Sequence, residues 1–155
     1  MAATAASSGA DRSPRSSRCS RMSLYLSCPV ESVERATAFY AALGWRVDAE
    51  MSNEQVSCVE IAPGQFLMLA SREQYASVGG TDELIGGPGT PSKVTVSFDL
   101  GSREAVDELV ERARAAGGRI GDTDEYPSMY QRQFDDPDGY HYSPFWMNPE
   151  AARPE

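Results

Sequence analysis

The chain has 155 residues and a composition typical of a soluble globular protein, so its length predicts one domain or two small modules packed together. Its formal net charge is −9, although the first 21 residues carry four arginines and one aspartate. Phosphate backbones and anionic lipids bind clustered Lys and Arg, so this charge argues against nucleic acid and membranes as partners. The three cysteines lack C-x-x-C spacing, which indicates a reducing compartment and predicts a cytoplasmic protein.

The N-terminal segment, residues 1–21, is rich in Ala, Ser and Arg and lacks the apolar stretch of a secretory signal. We predict that it is a disordered leader. An organelle transit peptide has the same composition, and translation from Met22 is a third alternative. We expect the folded body to span residues 22–148 and to be followed by a short tail, 149–155.

The first half of the body predicts a strand, a helix and three further strands. The opening strand lies at 23–30, and Ser32 can cap a helix that Gly44 ends. Three strands then follow, with the sequences "WRVDAEM", "VSCVEI" and "QFLMLAS". The Gly- and Pro-rich segment 78–92 predicts a linker after a first module at 22–77.

The second half, 93–148, repeats this order. In "KVTVSFDL", Val94, Val96 and Phe98 alternate with Lys93, Thr95 and Ser97. A helix capped by Ser102 and three strands follow, with the sequences "RIGDTDE", "MYQRQFD" and "YHYSPFW". Such an internal repeat predicts an α+β fold of two βαβββ modules. We expect helices on one side of curved mixed sheets, with the other side of the sheets lining a cup.

Two motifs carry a resemblance to a known family: "PVESVERATAFYAALGW" after the first strand and "FDDPDGYHY" before the last. Spaced around a repeated module, they resemble the vicinal oxygen chelate superfamily. That family includes glyoxalase I, fosfomycin-resistance enzymes, extradiol dioxygenases and bleomycin-resistance proteins. The resemblance covers residues 22–148 and implies the fold, but the superfamily spans several chemistries and some non-enzymes. It also implies a homodimer, as in many relatives.

The resemblance further implies four positions at which metal-dependent members place ligands. Carried onto this chain, they are Tyr25, Met68, Lys93 and Ser143. Divalent transition metals bind imidazole, carboxylate or thiolate, so this set predicts neither a metal nor another cofactor. Lys93 is the only lysine, and we hypothesise that its ammonium replaces the metal as an anchor for an anionic ligand. In "DPDG", the aspartates lack the spacing of a calcium loop, and Pro137 and Gly139 suit a tight turn.

Alternation places further candidates on the cup face. His141, the only histidine, is a candidate for proton transfer or a histidine at a strand end, and Glu60 reaches the cup only in one register. Arg132 is an anion clamp if it points inward and a surface residue if it points outward. Phe66, Met68 and Phe145 form apolar walls or simply fill the cup. The predicted ligand-binding set is therefore Tyr25, Phe66, Met68, Lys93, Thr95, Arg132, His141, Ser143 and Phe145.

Three functions follow from these features. The first is a metal-independent small-molecule-binding protein of the glyoxalase/bleomycin-resistance type, whose acidic body suits a cationic ligand. The second is a glyoxalase-like lyase or isomerase, or a dioxygenase relative, with a rearranged active site that uses His141 or Glu60. The third is an interaction module whose cup is filled by its own side chains.

Overall fold

Two modules of the same plan make up the computed structural model, which describes residues 23–78, 92 and 94–151. The α+β fold of paired βαβββ modules is confirmed. The first module contains β1 (Leu24–Val30), α1 (Val33–Ala42), β2 (Arg46–Asp48), β3 (Val56–Ala62), β4 (Gln65–Ser71) and α2 (Arg72–Ser77). The second contains β5 (Thr95–Asp99), α3 (Arg103–Ala115), β6 (Arg119–Glu125), β7 (Met129–Asp135) and β8 (His141–Met147). No helix in these ranges is long and apolar enough to cross a membrane.

Local sequence explains where the helices begin and where β2 ends. The hydroxyl of Ser32 accepts the Arg35 N–H, and that of Ser102 accepts the Ala105 N–H, so both predicted caps are confirmed. Strand β2 is shorter than predicted because the Asp48 carboxylate accepts the backbone N–H groups of Glu50 and Met51, which turns the chain. Helix α2 was not predicted; Ser71 caps it at the end of β4.

Each module forms a four-stranded mixed sheet. The strand orders are β1-β4-β3-β2 and β5-β8-β7-β6, with β1 and β4 parallel and β5 and β8 parallel. Consequently β1 and β5 are both edge strands of the sheets formed by the described residues. Leu24 and Tyr25 on β1, and Val94 just before β5, are exposed apolar side chains.

The helices lie between the two sheets. Helix α1 packs on β3 and β4 of its own sheet, and its Phe39 and Tyr40 rings contact Phe134 and Tyr142 of the other sheet. One core cluster contains residues of both modules, including Leu109 of α3. The sheet faces that point away from the helices are therefore turned outward in opposite directions within one chain. We call the face of β1–β4 the first open face and that of β5–β8 the second open face.

A buried polar network joins the modules beneath these faces. The Tyr40 hydroxyl donates to Asp136 Oδ2 and lies 2.7 Å from the Tyr142 hydroxyl. Asp136 Oδ1 also accepts the N–H groups of Asp138 and Tyr140, which closes the D-P-D-G turn. Burial raises the pKa of Asp136 to about 6, although these hydrogen bonds act in the opposite direction. The predicted turn is confirmed, since the Gly139 N–H donates to the Asp136 carbonyl and Gly139 has a φ of 94°.

Candidate functional site

An aromatic shelf covers the first open face. Tyr25 on β1 is the register partner of Phe66 on β4, and their rings stack with centroids 4.7 Å apart and planes 11° from parallel. Met68 follows Phe66 on the same face, paired with Ser27. We call Tyr25, Phe66 and Met68 the aromatic shelf. Because Tyr25 is 46% exposed, the shelf is an open apolar surface and not a filled core.

Glu60 lies beside this shelf, as the register partner of Phe66 on β3. Its other register partner is Arg46 on β2, whose Nε lies 2.8 Å from Glu60 Oε2. The carboxylate is thus held in an ion pair towards the far edge of the sheet. This contact favours a structural role for Glu60 over that of a free base.

The second open face carries a polar row across all four strands. Thr95 pairs with His141, His141 pairs with Asp135, and Asp135 pairs with Arg119. Neighbouring register partners in a sheet point to the same face, so these side chains lie side by side. We call Thr95, His141, Asp135 and Arg119 the polar row.

Within the polar row, His141 is oriented by Asp135. His141 Nδ1 lies 2.6 Å from Asp135 Oδ1, and Arg119 binds the other oxygen of the same carboxylate. The Asp135 side chain is 12% exposed and the His141 side chain 27%. An acceptor at Nδ1 selects the tautomer with a proton on that nitrogen, which leaves a lone pair on Nε2.

Further side chains extend the second open face. Ser97 pairs with Ser143, and Asp99 pairs with Phe145, which in turn pairs with Gln131. Asp124 pairs with Gln131 and accepts its amide N–H. With Asp99, Asp124 and Asp135 against Arg119, this face is acidic among the described residues.

Arg132 does not belong to this face. It shares the helix-facing side of β7 with the buried Phe134, and its guanidinium donates to Asp107 and Glu111 of α3. The interpretation of Arg132 as an anion clamp in the cup is therefore wrong. The side chain is bound between a strand and the helix that covers it.

The structure also corrects the equivalence between the modules. Tyr25 precedes the cap Ser32 by the same number of residues as Thr95 precedes the cap Ser102. Tyr25 and Thr95 are also alike in lying opposite Phe66 and His141 in the parallel pairs. The counterpart of Tyr25 is thus Thr95 and not Lys93. Lys93 itself lies outside the described residues.

A comparison with sequence models of protein families identifies the family. A sequence model of the Glyoxalase/Bleomycin resistance protein/Dioxygenase superfamily matches residues 24–142. The chain belongs to this superfamily. A search of curated proteins finds none that matches the chain.

Several solved structures share the fold. A glyoxalase-related enzyme from Fulvimarina pelagi is 20% identical with a TM-score of 0.67, covering 84% of this chain and 89% of its own. Lactoylglutathione lyase from Agrobacterium tumefaciens is 19% identical with a TM-score of 0.58, covering 83% and 93%. A fosfomycin resistance protein from Listeria monocytogenes, determined with manganese(II) and sulfate, is 17% identical with a TM-score of 0.61, covering 85% and 94%. Identities this low establish the fold alone.

The donor set does not fit the metal that many superfamily members hold. Tyr25, Met68, Thr95 and Ser143 occupy the corresponding places on the open faces and offer a phenol, a thioether and two hydroxyls. Residues 23–78, 92 and 94–151 contain no group of three or more His, Cys, Asp or Glu able to hold a metal ion. His141 supplies a single imidazole, which is held through Nδ1 by Asp135.

Neither described cysteine offers a reactive thiolate. Cys28 and Cys58 are free and buried. Burial, reinforced by the nearby Asp136, raises the pKa of the Cys28 thiol to about 12. Burial likewise raises the pKa of Cys58. The polar row, and not a cysteine, therefore contains the candidate reactive group.

Asp135 and Arg119 were missed by the sequence analysis. The signal for Asp135 was present, because Asp135 and His141 flank the D-P-D-G turn. Once that turn closes a hairpin, the residues on either side of it become register partners. No comparable signal existed for Arg119, whose pairing with Asp135 depends on a register irregularity between Ile120 and Thr123.

Proposed function

We propose that the protein binds a small molecule without a metal, on a site built from the two open faces. The observation that carries the proposal is the exposed aromatic shelf, an apolar stacking surface beside polar groups of the kind that small-molecule sites use. The aromatic shelf would supply contact area, and the polar row would supply hydrogen bonds. The ligand-binding roles of Tyr25, Phe66, Met68, Thr95, His141, Ser143 and Phe145 are part of this proposal.

A second copy of the chain would complete the site. The two open faces point away from each other within one chain, so one ligand cannot contact both. Within the described part of the chain, the edge strands β1 and β5 each leave one side of a sheet unpaired. In a two-fold dimer, β1 of one copy can lie beside β5 of the other, which brings a first open face next to a second. The homodimer thereby gains two equivalent composite sites.

The ligand is expected to be neutral or cationic and to carry a flat apolar part. The chain has a net charge of −9, and the second open face is acidic, so an anion would meet an unfavourable field. The stacked rings of the aromatic shelf favour a planar group, and a cation can lie over them as well.

Purified untagged protein should retain far less than one equivalent of metal. After incubation with nickel, zinc, manganese and iron and subsequent desalting, elemental analysis should find only traces, because the described residues of the open faces lack a set of metal donors. The matched control is His141→Ala. Stoichiometric retention by the parent that disappears in this variant would contradict the proposal.

Tyr25→Ala should weaken ligand binding by about tenfold or more, since it removes half of the stacking surface. Ligands are first identified by thermal shift in a library of planar neutral and cationic compounds, because binding to the native state raises apparent stability. Affinity is then measured by calorimetry. Tyr126→Ala is the control, because Tyr126 is about as exposed as Tyr25 and does not belong to the aromatic shelf. Equal affinities for both variants would remove the aromatic shelf from the site.

A metal-free lyase or isomerase is the second candidate. The observation that favours it is the His141–Asp135 pair on the second open face. A base oriented by a carboxylate is a recurrent element of catalytic sites, although it does not define a reaction.

A further inference from the structure

We propose that His141 is a proton acceptor for the bound ligand and that Asp135 and Arg119 are its positioning residues. The inference rests on the proposed function, because the ligand must occupy the second open face. The class of ligand is a neutral small molecule with a weakly acidic hydrogen. This assigns base chemistry to the polar row without any metal.

The geometry defines which nitrogen takes the proton. Asp135 Oδ1 lies 2.6 Å from Nδ1, so Nδ1–H donates to the carboxylate. Nε2 carries the lone pair of the neutral ring, and no hydrogen-bond partner for it occurs among the described residues. The His141 side chain is partly exposed on the open face, where a ligand can reach it. Nε2 is therefore the accepting atom.

The surrounding charges suit this transfer. When the X–H bond of the ligand breaks, its electron pair remains on the ligand, and the proton bonds to Nε2 while Nδ1–H stays on Asp135. The carboxylate then faces an imidazolium and stabilises its charge. Arg119 on β6 binds the second oxygen of the Asp135 carboxylate, which holds that carboxylate in place beside the ring. Return of the proton to the ligand restores the neutral imidazole.

The neighbouring groups are consistent with a site and not only with a strand-end ion pair. Thr95 on β5, the partner of His141 on the side opposite Asp135, is uncharged and places a hydroxyl on the same face. Among the residues that the structure describes, Asp135 and Arg119 are the charged groups packed directly against His141 or its partner, while Asp99 and Asp124 lie in another row. An ion pair for stability alone would require neither a partly exposed imidazole nor the adjacent hydroxyl.

Because the chain has one histidine, its state can be read directly by nitrogen-15 NMR on the full-length protein. The neutral ring in the parent should carry its proton on Nδ1. In Asp135→Asn, an amide that donates to Nδ1 should shift the proton to Nε2, as is known for serine-protease triads. Asp124→Asn, a carboxylate of the same face outside the row, should leave the tautomer unchanged. A parent with its proton on Nε2, or no change in Asp135→Asn, overturns the proposal.

Reactivity supplies the second readout, with 4-nitrophenyl acetate as a neutral probe. Nε2 attacks the acetyl carbon and 4-nitrophenolate leaves; water then hydrolyses the acetyl-imidazole to acetate and returns the free ring. The parent rate should rise with pH in step with the NMR-detected loss of the ring proton. It should fall about tenfold in Asp135→Asn and to background in His141→Gln. A parent rate equal to that of His141→Gln overturns the proposal.

Thermal-shift ligands separate this proposal from the proposed function. His141 is itself one of the proposed ligand contacts, so ligand stabilisation is measured on the parent and not on His141→Gln. If the parent binds no ligand but shows the expected tautomer and ester hydrolysis, the binding proposal fails and the role of His141 towards a bound ligand fails with it, and only the orientation of the ring by Asp135 is retained. If the parent binds ligands but hydrolyses the ester no faster than His141→Gln, the base assignment fails alone.

Discussion

Asp136→Ala is expected to have a free energy of unfolding about 3–5 kcal/mol lower than that of Asp136→Asn. Asp136 is 4% exposed and accepts hydrogen bonds from Tyr40 and from the N–H groups of Asp138 and Tyr140. Alanine leaves these buried donors without the acceptor. Asparagine keeps an oxygen for the two N–H groups, and its amide nitrogen can donate to the Tyr40 oxygen, because Tyr40 and Tyr142 can exchange donor roles.

The buried Asp136 is also expected to make the stability of the parent depend on pH. Burial raises the pKa of Asp136 from 3.8 to about 6, so the folded state binds the proton more tightly than the unfolded state. Between these values the folded chain holds more protons, and stability falls as pH rises. A shift of this size corresponds to about 3 kcal/mol, lost between about pH 4 and pH 6. Asp136→Asn should lack this loss and be at least as stable as the parent at pH 8.

Urea unfolding at several pH values tests both statements. The difference in unfolding free energy between the parent and Asp136→Asn isolates the carboxyl group, since all other titrating groups are shared. Asp124→Asn is the control, because that carboxylate lies on an open face and outside the network. Parallel pH profiles for the parent and Asp136→Asn would show that Asp136 ionises in the folded protein much as it does in the unfolded chain.

Much of the fold could be predicted because short-range signals agree with the tertiary structure. Strands β4, β6 and β7 have the same bounds as the predicted segments "QFLMLAS", "RIGDTDE" and "MYQRQFD". Both long helices begin at the predicted serine caps. Caps and tight turns act within a few residues, so a single sequence contains the whole signal.

The side of β7 on which Arg132 lies could not be predicted from alternation. Tyr130, Arg132 and Phe134 share a face, but Gln131 and Gln133 on the other face do not mark it as solvent or core. The decision comes from α3, where Asp107 and Glu111 lie one turn apart and accept the guanidinium. The alternation of residues along one strand contains no information about charged partners on another element.

The direction in which the open faces point could not be predicted from the sequence either. Repetition predicts two similar modules, and amphipathic strands predict one helix-covered face in each sheet. Whether the modules pack through their helices or side by side depends on contacts between them. Here the Trp45 ring packs against Phe98 and Tyr142, and the Tyr140 hydroxyl donates to the Pro29 carbonyl. These contacts fix the helices between the sheets and separate the aromatic shelf from the polar row.

Mixing two variants that do not bind should restore binding if the site is shared between two copies. Tyr25→Ala removes part of the aromatic shelf, and Phe145→Ala removes an apolar side chain of the second open face. In each homodimer, every composite site is damaged. In a mixed dimer, one site collects both substitutions and the other has none. After unfolding and refolding of an equal mixture, about one quarter of all sites should have parental affinity.

Calorimetry with a ligand found by thermal shift measures this recovery, and analytical ultracentrifugation confirms that both variants and the mixture have the size of the parent. The control is the same mixture without refolding, which should not bind until subunits exchange. A mixture of Tyr25→Ala with Phe66→Ala should recover nothing, because both substitutions lie on the first open face and every site in a mixed dimer keeps one of them. Recovery in that control, or no recovery between Tyr25→Ala and Phe145→Ala, would exclude a site formed by opposite faces of two chains. The ligand would then be held by a single face, and the stacked Tyr25 and Phe66 rings would make the first open face the one to retain.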